Sequence, residues 1–193
     1  MHIQEVLVTL SAILVIISPI TYIVSIARGN SKPHRMTRFI LSFVLTLNFL
    51  SILAAHGNMG AKIFAGITFV QAIVIFFMSL WRGMGGTSRT DFMCLAIAAI
   101  GIIGWKVTGN PVVGIWFSIL ADLSAYFPAF IKTWNHPKTE SPWFYGIAAA
   151  SAILSLIAYK IDVASIFQIY IAISCFIMIG FIYRKEILGV KIN

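Results

Sequence analysis

Charge is what this sequence has least of. Of its 193 residues, 10% are charged and six are acidic, while 60% are apolar; globular chains carry roughly a quarter charged residues. That shortage excludes a soluble domain. The alternating pattern of membrane β-strands is missing too, which excludes a lipid-facing barrel. Cysteine is scarce: Cys94 and Cys175 both fall in apolar runs, where they read as small buried hydrophobes rather than a disulfide framework. His2, His34, His56 and His136 are scattered without metal-ligand spacing. "RGMGG" (Arg82–Gly86) follows no strand, so it is a poor phosphate cradle. No metal and no cofactor is expected. An aspartyl intramembrane protease needs two buried aspartates, and only Asp122 lies deep in an apolar run; the chain does not read as an enzyme. A retinal protein needs a lysine in the last span, and residues 163–183 hold none.

What is present is length of apolar run. With ~20 apolar residues needed to cross the hydrocarbon, the chain divides into seven spans at 5–27, 38–56, 61–81, 91–107, 111–134, 143–159 and 163–183. Each must be helical, because lipid offers no partner to a free backbone amide. The first span holds Pro19, lacks a preceding basic residue and exceeds the ~7–15 residues of a signal-peptide core; it reads as a retained helix. Trp81, Trp105, Trp134 and Trp143 fall at span ends as interfacial anchors.

The net charge of +8 records topology rather than a nucleic-acid partner. With the N-terminus outside, Arg28, Lys32, Arg35, Arg38, Arg82, Arg89, Lys132, Lys138, Arg184, Lys185 and Lys191 lie inside, against Lys62, Lys106 and Lys160 outside. That bias obeys the positive-inside rule, with the C-terminus inside. The short loops and compact ends point to a bacterial inner membrane.

Proline spacing gives the internal organisation. Pro19 and Pro128 are 109 residues apart, and so are Pro33 and Pro142. Each first proline falls in the inner half of a span; each second one closes the following loop. Two further spans follow each, leaving the fourth as a lone connector. The expected fold is therefore an all-α membrane protein of seven transmembrane helices in a 3+1+3 plan: a first repeat over 1–81, an inner loop and linker helix over 82–110, and a second repeat over 111–193. An odd connector lets both three-helix bundles run in the same direction, one of the known transporter plans. A proline within a helix removes a backbone hydrogen bond and kinks it, so Pro19 and Pro128 are candidate hinges. Ser18 beside Pro19 is placed to bond a carbonyl one turn back.

"FPAFIKTWNHPKTES", with Pro128, Lys138-Thr139 and Ser141, and the fainter "SPITYIVSIARGNSKP" around Pro19, resemble the motif of the PQ-loop superfamily. That group includes the SWEET sugar transporters and cystinosin-type amino-acid exporters. The glutamine of the family name is replaced by Ile20 and Ala129, and the third helix of each half carries Gln71 and Gln168 where the sugar-transporting members have asparagine. The resemblance therefore implies fold and transport more than it implies sugar.

Asp122 is the residue that most asks for a function. An aspartate at a helix centre costs ~2.5–3.5 kcal/mol on insertion scales, and loss of hydration disfavours its charged form, which suits a proton-exchanging group. Gly114, Ser118, Ala121, Ala125 and Ala129 share its face, a small-residue stripe on which another helix can close. Asn48, Gln71 and Gln168 are the other expected substrate- or proton-coupling residues, with Ser118, Trp116 and Tyr126 as further cavity-lining candidates. Asn48 and Gln71 read equally well as interhelical hydrogen-bonding groups. The expected function is a small-solute transporter, with a non-transporting scaffold or partner subunit as the alternative. One acid, a few amides and no buried base suggest a neutral or cationic small polar solute; the bilayer is the other partner, and a homo-oligomer is compatible with everything above.

Overall fold

The structure is a computed structural model that describes residues 3–84, 89–135 and 137–187; within these, the side chains of Asp91, Cys94, Pro128 and Lys132, among others, lie outside the description. Among the described residues the chain forms α1 (Ile3–Ala27), α2 (Arg35–Ala54), α3 (Met59–Arg82), α4 (Arg89–Thr108), α5 (Pro111–Asn135), a 3-10 turn at Pro137–Thr139, α6 (Pro142–Ala158) and α7 (Ser165–Ile187). The described residues contain no strand, only an isolated bridge between His34 and Met84. By length and composition α1, α2, α3, α5 and α7 can cross a membrane, while α4 and α6 offer shorter apolar stretches at Leu95–Thr108 and Pro142–Ala158. The chain is an all-α integral membrane protein.

Local chemistry sets the helix ends. His34 caps α2, its ring accepting from the Thr37 amide, and Asn58 caps α3 by accepting from Ala61. Pro142 opens α6 at a first-turn position, where its missing N–H costs nothing. Past the end of α2, His56 stands at φ 52° and Gly57 N–H returns to the Ile52 carbonyl, a left-handed cap built without glycine at the left-handed residue.

The connections gather at two ends. One end holds the basic 28–34 segment, Gly83–Met84 and the 3-10 turn; the other holds the turns at 55–58, 109–110 and 159–164. These are called the basic end and the short-turn end below. α1 packs chiefly on α6 and α3, α2 on α3 and α5, α6 on α7, and α5 on α7, while α4 lies against α5 and α2. Large apolar side chains such as Ile13, Ile20, Phe77 and Trp143 face outward, where hydrocarbon rather than water solvates them.

The small-residue stripe on α5 does what its composition predicts. Gly114, Ser118, Ala121 and Ala125 are buried, and Ala121 and Ala125 pack with Ile40, Leu41 and Val44 of α2. A Cβ at Gly114 would collide with the Ser51 hydroxyl. On the other side of the bundle, α1 and α6 meet just as closely: Ser11 Oγ donates to the Ser151 carbonyl and Ser151 Oγ to the Ser11 carbonyl, both at 3.0 Å.

Two expectations change. Ser18 does not bond within its own helix; its hydroxyl donates to the Phe144 carbonyl on α6 at 2.9 Å. Arg38, counted above as an inner-loop charge, lies within α2, and its side chain turns toward the interior of the bundle.

Candidate functional site

Six helices surround a cavity of about 50 Å³, lined by Val15 and Ser18 of α1, Arg38, Leu41 and Leu45 of α2, Phe64, Thr68, Gln71, Ala72 and Ile75 of α3, Asp122 and Tyr126 of α5, Phe144 and Ala148 of α6, and Ile171 and Cys175 of α7. Among the described residues, α4 contributes nothing to it. The wall is mostly apolar, so the few polar groups that reach it dominate its chemistry, as in small-molecule sites generally.

Asp122 is buried on the α5 face that meets α2, and Tyr170 of α7 donates its hydroxyl to Asp122 Oδ2 at 2.6 Å. Arg38 enters from the basic end. Its Nη2 donates to the hydroxyl of fully buried Tyr22 at 3.1 Å, and its guanidinium carbon lies 5.0 Å from the centre of that ring, within cation–π range. Arg38 and Asp122 thus bring opposite charges to one cavity from neighbouring helices, each held by its own tyrosine. Among the described residues no ion pair joins them.

Arg38 also lines a second cavity, of about 180 Å³, at the basic end, with Tyr22, Lys32, His34, Thr37 and Glu140. The partition between the two is aromatic and charged. Tyr22 lies 4.8 Å from Phe144, Phe144 lies 4.9 Å from Tyr145, and Tyr145 donates its hydroxyl to Glu140 Oε2 at 3.1 Å.

The short-turn end is sealed where glycine backbone packs directly on neighbouring side chains. A Cβ at Gly57 would sit 2.6 Å from the Ala164 Cβ, and one at Gly60 would strike the Tyr159 ring and the Ser155 hydroxyl. Asp162 ties the start of α3 to the start of α7: Oδ2 accepts from the Asn58 amide at 2.9 Å, and Oδ1 accepts from the Ser165 amide at 2.9 Å and hydroxyl at 2.8 Å. The Asn58 side chain adds bonds to the Lys160 carbonyl and to Ser165. Partial burial pushes the Asp162 carboxyl up, but the hydrogen bonds from Asn58 and Ser165 act together against it and hold the group below its ordinary value.

The residues singled out from the sequence therefore separate. Asp122, Gln71 and Tyr126 line the central cavity. Asn48 and Ser118 do not; they face each other where α2 meets α5, Ser118 Oγ donating to Asn48 Oδ1 at 3.1 Å. Gln168 is buried nearer the short-turn end, its amide donating to Ser155 at 2.8 Å. Trp116 is 48% exposed on the outer surface and does not line the cavity, since its position faces away from the stripe that meets α2. Pro19 lies within α1 on the wall of an apolar outer groove. Pro128 falls within α5, with its side chain outside the described part.

Arg38, Tyr22, Tyr170 and Glu140 escaped the sequence reading. The signal for Arg38 was there: Arg38, Leu41, Leu45 and Asn48 recur at helical spacing, and the last three are buried. A count of charges by loop assigns it to topology, because such a count is blind to the helix face. Comparison with family models, curated proteins and solved structures finds no match to this chain.

Proposed function

We propose that the chain is a small-solute carrier working by alternating access between two like-facing helix triplets, α1–α3 and α5–α7, with α4 as connector. The observation that carries this reading is the central cavity. It takes polar groups from both triplets, Arg38, Thr68 and Gln71 from one and Asp122 and Tyr126 from the other, and it is closed differently toward each end.

Packing supports the plan. Exchange α1 with α5, α2 with α6 and α3 with α7, and the α1–α6 contact becomes α5–α2, α2–α3 becomes α6–α7, and α1–α3 becomes α5–α7; all six pairs are in contact. A pair of repeats related by an axis along the membrane normal generates such partner pairs. The motif around Pro128 that resembles the PQ-loop superfamily points the same way, as does the basic bias that puts the N-terminus outside and the C-terminus inside a bacterial inner membrane.

Cys175 supplies the test, because it lines the cavity and is buried. In a Cys94→Ala background it is the one thiol left. Proteoliposomes of either orientation are treated with a membrane-impermeant methanethiosulfonate cation. A carrier exposes the cavity to each side in turn, so Cys175 is modified in both orientations. Modification from one side only, or from neither, would sink alternating access and leave a scaffold.

A further inference from the structure

The sequence inventory of one acid and no buried base pointed to a neutral or cationic solute. The structure adds a cation to the same cavity. Arg38 on α2 and Asp122 on α5 both line it, with no ion pair between them, and each is steadied from outside by a tyrosine, Tyr22 and Tyr170 respectively. Glu140 faces Arg38 from the basic-end cavity, but toward the central cavity Arg38 makes no ion pair with Asp122, and a guanidinium has five N–H donors in a planar fork that matches a carboxylate in two-point contact. Asp122 uses Oδ2 for Tyr170, which leaves Oδ1 to accept. The remaining wall, Val15, Leu41, Leu45 and Ile171 among it, is apolar.

We infer that the cavity accepts a compact zwitterionic amino acid, its carboxylate on the Arg38 guanidinium and its ammonium on Asp122. This rests on the carrier reading and narrows it: opposite charges set on two helices select a solute carrying both groups, while the small cavity and its apolar wall favour a short aliphatic side chain. A solute with only one of the two groups leaves the opposite protein group without its charged counterpart, which is the strongest discrimination such a site has. Because Arg38 also lines the basic-end cavity, it can hold the carboxylate on either side of the partition formed by Tyr22 and Phe144.

The test is binding to the purified full chain in detergent, read as thermal stabilisation, with four probes of similar size: L-alanine, L-alaninamide, propionate and glycerol. L-alanine is expected to stabilise at concentrations about ten- to a hundredfold lower than either single-charge probe, the factor one lost charge-assisted contact brings. Glycerol is expected to give no more than its solvent effect. Equal response to L-alanine and L-alaninamide, or to L-alanine and glycerol, or no specific response to any probe, overturns the inference. These outcomes use the wild-type chain, so none depends on a variant folding. Arg38→Gln then serves as a second readout: it is expected to lose the preference for L-alanine over L-alaninamide, and keeping it would overturn the role of Arg38. The carrier reading fails separately. L-alanine binding with Cys175 modified from one side only removes alternating access and leaves the site; two-sided modification without L-alanine preference does the reverse.

Discussion

The two ends of the seam between α1–α3 and α5–α7 are closed by different physics. At the short-turn end, the backbone at Gly57 and Gly60 packs directly on the side chains of Ala164, Tyr159 and Ser155, and the Asp162 bonds tie the start of α3 to the start of α7, so there is little room to rearrange. At the basic end the contact across the seam is made by side chains: Tyr22 on Phe144, Ser18 on the Phe144 carbonyl, Tyr145 on Glu140, with Arg38 between two cavities. Contact at a glycine is all-or-none, because any side chain added there must displace the tightly packed neighbours. Aromatic and charged side chains can change rotamer and re-pair at smaller cost. In this conformation the short-turn end is the locked one, and the basic end is the one a side-chain movement would open.

The largest effect should therefore come from Gly60. Gly60→Leu drives a side chain into Tyr159 and Ser155, and overpacking of this kind costs about 3 kcal/mol or more where backbone must shift. Thermal unfolding in detergent should show it, with Cys175 becoming more reactive from the short-turn side. Phe144→Leu at the basic end should cost less, about 1–2 kcal/mol, and raise reactivity from the basic side instead. Equal costs, or opening on the same side, would break the comparison between the ends.

Asp122→Asn sharpens it at the centre. An amide oxygen still accepts from Tyr170, so the fold should lose about 1 kcal/mol or less, yet the carboxylate proposed to hold the solute ammonium is gone. Solute flux in proteoliposomes and its dependence on a pH gradient should both collapse. Flux and pH dependence left as in the wild type would remove Asp122 from solute and proton coupling.

Asp162 tests the clasp with a smaller effect. Its folded value is held low, so the carboxylate's contribution is in full force above the unfolded value of about 3.9 and is lost as pH falls through the lower folded one. Wild-type unfolding temperature should be flat near neutral pH and drop below about pH 4. Asp162→Asn should cost about 1 kcal/mol at pH 7, allowing for solvent screening, and flatten that acid limb.

Helix positions were legible because hydropathy is a local property: each expected span overlaps one of the helices from α1 to α7. The α5 stripe was legible for the same reason, since a face of a single helix can be read from spacing alone. What spacing cannot give is which face of one helix meets which of another. Asn48, Gln168 and Asp122 look alike in sequence as polar residues in apolar runs, yet only Asp122 reaches the central cavity. Arg38 was hidden for a different reason. Near a helix end a cation can serve topology or turn inward, and only the aromatic ring of Tyr22, contributed by another helix, decides for the second.

Asn48 offers the smallest predicted change and the finest probe of the locked half. Its oxygen accepts from Ser118, while Nδ2, like the nearby Ser51 hydroxyl, is buried without a protein partner. Ser118 also donates to the Ile115 carbonyl at 2.7 Å, so it keeps a bond when Asn48 is removed. Asn48→Leu is nearly the same size and takes away one interhelical bond of about 0.6 kcal/mol together with an unsatisfied donor, two changes of opposite sign. The unfolding temperature should scarcely move, and L-alanine binding should be unaltered. A loss well beyond 1 kcal/mol would mean that water or solute partners Nδ2, and the wet part of the seam would then reach past Asp122 toward the short-turn end, so that end would no longer be the dry, tightly packed one.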